Sequence, residues 1–567
     1  LLRVSILDGG RFDESSALDP SLAMEVRVPC WRESGPPAQR IEVAGARVLE
    51  LPAGACLVQA LAAYAPCAGS IELCARFTGR AELVLRGQHG SWASGERTGP
   101  EIRASGAELG GLEPRFVLEL RSGPGGSRWS AIEASVELPC PSEADLAREI
   151  EARLHEALDP WLAHALDREG PRKTAFAPHV FDAVSGERLA SYPSTLHPLF
   201  ENLLEACRLV EDPRWKSALE AFVADYLELG LHPRTGLPRN WDALTDTPQD
   251  EQPVEVAAHL RFLLDVGHRG PQSVRERALA AARRMAESID AHARLPDGSL
   301  AASLRPSDGA PSSETSALRR LDVPAQLTRA ARVFGVESWY ADARTAIATF
   351  EFTHDWPGDW RQIDPGFDDE FGNYGARAVD MLQAYPEDPL LRRLAGEGYA
   401  HYAPIWRAAL LSGGSIAADQ VRCWDAIDEF AGLDARARAE LPALLALALR
   451  MQWKGEQYAG GNWGDVTFCD FDPKLDLAVG DLPGLPANLL RGLAIAYDGP
   501  PELRTDDTRA RFTAVLRSTV ATYRRPQGYL STPREVAGNN PASGSLRLAP
   551  GLLRMLSALK QPRNRSR

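Results

Sequence analysis

At 567 residues, 44% hydrophobic and 25% charged, the chain is too long for one ordinary core and has the profile of a globular protein. Its longest apolar stretch, Leu441 to Leu449, contains Pro442 and is less than half the ~20 residues that a spanning helix needs, so no membrane span is expected. A formal net charge of −14, with no cluster of five or more Lys and Arg, repels a phosphate backbone and excludes nucleic acid from the expected partners.

Residues 1 to 138 read as strands. Short apolar or alternating runs (Ala46 to Leu51, Ile71 to Phe77, Ala81 to Leu85, Arg115 to Leu120, Ala131 to Leu138) are separated by Gly, Pro and Ser at close intervals. An all-β sandwich of jelly-roll or immunoglobulin-like type is expected over residues 1–140. At Pro139-Cys140-Pro141-Ser142 the period changes. Ser142 with Asp145 three residues on resembles a capping box, and Leu146, Ile150, Leu154 and Leu158 then recur at helical steps. Residues 141–193 are therefore expected to form a helical linker.

From about residue 194 onward the pattern is helix pairs. One member is apolar around most of its circumference, as from Val254 to Val266. The other is amphipathic: Trp215, Leu219, Phe222 and Tyr226 share one face, with Arg214, Lys216, Glu220 and Asp225 elsewhere. An inner and an outer ring of helices satisfy both patterns. The turn into the outer helix repeats, with an acidic cap followed by Pro at Asp212-Pro213 and Asp388-Pro389. Gly270-Pro271, Gly335, Gly432 and Asp506-Asp507 occupy equivalent places. Six hairpins can be counted, with inner helices beginning near Thr195, Pro253, Thr315, Gly372, Ala417 and Leu485, and a final helix near Leu546 to Leu559. The turns at one end are short. The connections at the other end are long: 230–252, 293–314, 353–371, 454–484 and 526–545, and long loops gathered on one rim describe a site.

This arrangement resembles the six-hairpin (α/α)6 toroid shared by glycoside hydrolases, polysaccharide lyases and some sugar epimerases, several of which carry an N-terminal β-sandwich. The resemblance is one of architecture over about 370 residues, with no single family's catalytic signature matched. It implies an (α/α)6 toroid catalytic domain over residues 194–567, acting on an oligo- or polysaccharide.

The densest loop runs from His354 to Gly375. It holds three consecutive acids, Asp368, Asp369 and Glu370, whose mutual repulsion would raise at least one pKa and keep a general acid protonated. Asn373 and Tyr374 follow at the first turn of an inner helix, with Trp356 and Trp360 upstream. An acidic helix cap, or a calcium loop using Asp364, Asp368 and Glu370, is the plainer reading of the same residues. The loop from Tyr458 to Asp476 sets Asn462, Trp463 and Asp465 among glycines that let a ligand approach the backbone, and Asp465 is the expected partner of the acidic triplet. Asp470, Asp472 and Asp476 have a spacing found both in calcium loops and in plain turns. The first long loop offers Arg239, Asn240 and Trp241, with Asp250, Glu251 and Glu255 following, and Arg422 and Trp424 add a further group. Five of the thirteen tryptophans (241, 356, 360, 424 and 463) fall on this rim, which suggests a sugar-stacking wall in preference to packing beneath the loops. His197 and His259 lie on inner helices, where a lone histidine is more often a satisfied core residue than a base.

No nucleophile elbow, P-loop, dinucleotide fingerprint or HExxH occurs, so carboxylate or Tyr/His chemistry is expected, without a cofactor other than a structural calcium. Hydrolysis by one of Asp368, Asp369 or Glu370 with Asp465 is the leading expectation. A polysaccharide lyase using Tyr374 or a histidine, with Asn373 and an arginine (239, 305, 361, 422 or 534) neutralising a uronate, is the alternative; a non-catalytic glycan-binding protein is the third. Eight cysteines without a CxxC pair fit neither a zinc site nor a dense disulfide framework. The sequence opens on Leu1-Leu2, which suits a removed signal peptide or a trimmed chain, and of the compartments a secreted or periplasmic one is favoured.

Overall fold

The computed structural model describes residues 1–5, 32–44, 46–61, 71–86, 91–105, 116–168, 170–176, 180–181, 188–190, 198–312, 322–348, 381–394, 396, 484–499, 501–523 and 543–561. The protein is mixed: an antiparallel sheet comes first, then a core of helices.

The strands of the sheet are β1 (Leu2–Ser5), β2 (Arg32–Ser34), β3 (Gln39–Val43), β4 (Ala46–Leu51), β5 (Cys56–Leu61), β6 (Glu72–Arg86), β7 (Ser91–Ala93), β8 (Arg97–Thr98), β9 (Glu101–Ser105) and β10 (Phe116–Leu138). β6 and β10 lie side by side along most of their length. β5, β4 and β1 pair in turn with the other edge of β10, and β7, β8 and β9 pair with the other edge of β6. A sandwich needs two sheets face to face. The described strands of residues 1–140 connect into one hydrogen-bonded sheet, and a second, separate sheet is not shown among them.

The reason lies in the glycines. Ile71 to Phe77 and Ala81 to Leu85 were separate strands by their flanking signals, as were Arg115 to Leu120 and Ala131 to Leu138, yet each pair belongs to one long strand. Along β6 the buried positions Leu73, Ala75, Phe77, Ala81, Leu83 and Leu85 keep one parity, with Val84 the exception among the described residues. Along β10 the parity changes twice, from Leu118 and Leu120 to Ser127 and Trp129, then to Ile132, Ala134 and Val136. Both changes fall at the register shifts between Ser122 and Ser127 and between Trp129 and Ala131. Inserted residues at these bulges keep one face of β10 on the core although its sequence slips out of phase. Trp129 is fully buried there, stacked on Phe77 at 5.0 Å between ring centres, and donates Nε1–H to Ser127 Oγ at 2.9 Å.

The helices are α1 (Glu143–Asp167), α2 (Pro198–Leu209), α3 (Pro213–Asp225), α4 (Ala257–Arg269), α5 (Gln272–His292), α6 (Asp322–Phe334), α7 (Glu337–Ala348), α8 (Gly484–Asp498), α9 (Asp506–Tyr523) and α10 (Ser543–Lys560). α1 starts where the capping signal placed it, with Ser142 Oγ accepting the Asp145 amide at 3.1 Å. Leu146, Ile150, Leu154 and Leu158 are fully buried, each contributing about 1.5–3 kcal/mol by leaving water. Their face packs against α10, α2 and α3, so α1, the first part of the segment expected as a linker, is built into the helical core.

The two helix types separate as their patterns require. α2, α4 and α6 are buried on most sides and touch in series, α2 with α4 and α4 with α6. α3, α5 and α7 bury a single face, α3 through Trp215, Leu219 and Phe222. Phe222 stacks on Phe200 of α2 at 3.4 Å and meets Phe262 of α4 edge-on. α10 packs against α8, α1 and α2, which brings the end of the described chain against its first helices. α9 is an outer-type helix by position but is buried nearly all round, because β1 and β10 cover it. At that junction Arg509 donates to the Pro141 carbonyl at 2.9 Å, and Tyr497 donates to Glu143 at 2.6 Å.

Candidate functional site

Connections between the paired helices differ by end. Residues 210–212, 270–271 and 335–336 suffice to pass from α2 to α3, α4 to α5 and α6 to α7. Asp212 caps α3 through the Arg214 amide at 2.8 Å, and Asp388 likewise receives the Leu390 amide at 2.7 Å, as the Asp-Pro pairs required. At α9 the cap is Thr505, whose Oγ accepts the Thr508 amide at 3.2 Å; Asp506 and Asp507 sit in the first turn. The opposite passages, 226–256 and 293–321, are long, and their described parts are laced together.

The first of these loops opens with a π-turn, Tyr226–Gly230, and a tight hairpin in which Gly236 takes φ +73° and Leu231 bridges Pro238. Val254–Glu255 then pairs with Ser303–Leu304 of the second loop. Thr235 Oγ donates to the Pro306 carbonyl at 2.7 Å, and the Ser307 amide donates to the Asp250 carbonyl at 3.1 Å. Two adjacent long loops thus form one continuous rim segment.

Three of the expected site residues lie on it. Trp241 is buried at 1% exposure, with its Nε1–H on Asp246 at 3.0 Å. The Arg172 and Arg239 guanidinium carbons sit 5.3 and 5.5 Å from its ring centre, and Phe176 meets it edge-on. No ring face is left for a sugar, so Trp241 is a packing residue and the stacking-wall expectation is corrected at this position. Arg239 is held by Asp250 at 2.9 Å, and Asn240 Nδ2 donates to Gln252 Oε1 at 3.1 Å. Trp360, Asp368, Asp369, Glu370, Asn373, Tyr374, Arg422, Trp424, Asn462, Trp463, Asp465, Asp470, Asp472 and Asp476 lie outside the described residues, as do His197 and Trp356.

His259 matches its plainer reading. It is buried in the first turn of α4, with Nδ1 2.7 Å from the Tyr226 hydroxyl, and complete burial pushes the Tyr226 pKa well up. The charges of the rim are mutually engaged. Arg305 forms a two-point pair with Asp308, both contacts at 2.8 Å, which together with the Ala310 amide lowers the Asp308 pKa. Arg172 at 2.8 Å lowers that of Asp246. Burial lowers that of His232. Asp290, near the end of α5, shifts the other way: burial, then the neighbouring Asp342 carboxyl, raises it.

No family model matches the chain, and no curated protein matches it. Solved structures similar to it are carbohydrate-acting enzymes. A cellobiose 2-epimerase from Bacillus thermoamylovorans is 10% identical, with 72% of this chain and 99% of that one covered, at a TM-score of 0.43. An α-1,2-mannosidase from Trichoderma reesei is 12% identical over 75% of this chain and 95% of that one, at 0.47. A family 76 glycoside hydrolase from a bovine Bacteroides thetaiotaomicron strain is 10% identical over 82% and 96%, at 0.37. At these identities, with TM-scores below 0.5, the likeness carries no argument about what this chain does.

Two clusters escaped the sequence. The bracing of Trp241 by Arg172 joins segments about seventy residues apart, and no local pattern announces it. His155, Asp159 and Asp212 gather at the short-turn end, the one group with metal-ligand spacing among the described residues. Arg214 already bridges the two carboxylates at 3.1 and 2.7 Å, and Trp215 donates to Asp159 at 2.7 Å, which makes it an ion-pair network.

Proposed function

We propose that the helices close into a double ring and that the long-loop end of this ring is the active site of a carbohydrate-processing enzyme, a glycoside hydrolase. One observation supports this most: short turns at one end of the helix pairs face long, laced loops at the other, while α10 packs back against α2. A closed inner ring would gather the connections 353–371, 454–484 and 526–545 around the same opening as 226–256 and 293–321.

In this reading one carboxyl of Asp368, Asp369 and Glu370 protonates the leaving glycosidic oxygen, and Asp465 activates water on the other side of the sugar. Crowding of the three acids would raise the pKa of at least one of them and so favour its protonated form. Separation of the acting pair by about 6.5–9.5 Å would give inversion. Tyr374, Asn373, Trp360, Trp424, Asn462, Trp463 and Arg422 would contact the substrate, and Asp470, Asp472 and Asp476 would hold a calcium only if that loop is a metal loop.

The test is release of new reducing ends from a panel of oligosaccharides by the full chain. Asp465→Asn and one of Asp368→Asn, Asp369→Asn and Glu370→Gln are expected to lower the rate at least ~100-fold with the fold intact by circular dichroism. Full activity in Asp465→Asn, or in all three variants of the triplet, removes the assignment, and glycan binding without any product would favour a non-catalytic binder.

A further inference from the structure

We propose that Asp290 and Asp342 hold one proton between them, and that its loss at alkaline pH frees the second rim loop from α7. The proposal goes beyond the reading of the loop face as a sugar site and does not depend on it.

Asp290 stands in the last turn of α5, and the second rim loop starts where that helix ends. The Ala293 amide still closes on the Ile289 carbonyl at 2.8 Å, and Arg294 bridges back to Leu300. The Arg294 guanidinium reaches across to the Asp342 carboxylate of α7, which ties the loop to that helix. Asp290 hydrogen-bonds the same Asp342 carboxyl, with Trp339 of α7 as a further partner. One carboxyl group of α7 therefore fastens both α5 and the loop.

Carboxylates only accept, so Asp290 and Asp342 can hydrogen-bond each other only with a proton between them. Asp290 is the better seat for it. Its Oδ1 is buried with no hydrogen-bond partner, which a neutral carboxyl tolerates far better than a carboxylate, whereas Asp342 already has the guanidinium. Burial and then Asp342 raise the Asp290 pKa, against the opposing pull of Arg294 and Trp339. Glu287, one turn back on α5, is turned to solvent and paired with Arg283 at 3.2 Å.

Once the proton leaves, two adjacent carboxylates compete for one guanidinium. Arg294 follows Asp290 by four residues, so it can turn from Asp342 to its own helix, and the loop loses its hold on α7. The sign follows from the shift. The folded chain binds this proton more tightly than the unfolded one, so the junction is whole below the ordinary aspartate value of ~4 and weakens as pH rises through the raised one.

The experiment is amide hydrogen exchange of the full chain, followed at Leu295 and Ala301, whose amides donate within the loop to the Ser299 and Ala293 carbonyls at 2.9 and 2.8 Å. After correction for the intrinsic rate, their protection is expected to fall at least ~5-fold between about pH 5 and about pH 9, while α3 keeps its own. Asp290→Asn, whose amide never charges and can still donate to Asp342, is expected to hold the loop protected throughout. Asp342→Asn, which weakens the hold on Arg294, is expected to leave it poorly protected at both ends of the range. Constant protection in the unaltered chain, an equal fall in Asp290→Asn, or a fall shared by α3 overturns the proposal. Full protection in Asp342→Asn removes the anchor on which it stands.

Discussion

Trp241 and Asp388 illustrate at the residue scale how a side chain's role depends on which neighbours supply its partners. A tryptophan beside glycine and asparagine in a long loop reads as a ligand face, but Arg172 and Phe176 of one segment and Arg239 and Asp246 of its own loop enclose this one. Trp241→Ala is expected to cost about 3–5 kcal/mol, read as a lowered urea midpoint, because it empties a filled site and strands two stacked guanidinium groups. Arg172→Ala, removing one half-exposed cover, is expected to cost about 1 kcal/mol or less. Asp388 is the opposite case, since an Asp-Pro cap is a local signal and was legible. Burial pushes its carboxyl up, but Arg344 at 2.7 Å, the Tyr340 hydroxyl and the Leu390 and Leu391 amides outweigh it and hold the pKa down at about 2. The folded chain thus binds this proton less readily than the unfolded one, whose carboxyl titrates near ~4. The stabilisation, about 2 kcal/mol, is complete above that value and is lost as pH falls towards 2. Asp388→Asn should therefore flatten the decline in unfolding midpoint between pH 5 and about 2.5, and an unchanged decline would assign it to other acids.

Among the elements, helices were more legible than strands. A helix carries its period and its caps within one segment, so Ser142, Asp212 and the apolar faces of α1 and α3 could be placed from residues four apart. A strand's continuity depends on what lies beside it. Gly79 reads as a turn, yet it sits inside β6 at φ +89°, where a Cβ would lie 2.6 Å from the Gly126 carbonyl oxygen of β10. Gly54 also has positive φ, +79°, but a Cβ there would meet nothing within 4 Å. Both positions disfavour a side chain by backbone strain of about 1–2 kcal/mol. Only Gly79 adds a clash with main chain that cannot swing aside. Gly79→Ala is expected to lower the thermal midpoint of the sheet clearly more than Gly54→Ala. Equal losses would mean that the close approach of β6 and β10 contributes nothing beyond conformation.

For the whole molecule, the alternation of apolar and amphipathic helices pointed to paired layers, but sequence cannot state which distant helices touch. The last helix read as an addition after the sixth hairpin. In the folded chain α10 is buried on nearly every side, with Leu548, Leu552, Leu553, Met555 and Leu556 fully or almost fully covered, and it packs between elements from both ends of the helical region. Gly551 allows this, since a Cβ there would come within 2.9 Å of the Arg491 amide nitrogen on α8. α10 therefore acts as the seam piece that joins α8 to α1 and α2, and its loss exposes apolar faces on all three. A chain ending at residue 542 is expected to bind a hydrophobic dye and to unfold without a cooperative transition in the helical region. Gly551→Val tests the same seam without shortening the chain: prying α10 from α8 should broaden the transition and lower its midpoint, while Gly396→Val, where a Cβ meets nothing within 4 Å, should do much less. If the shortened chain melts as sharply as the full one, the seam is not what holds the described helices in register.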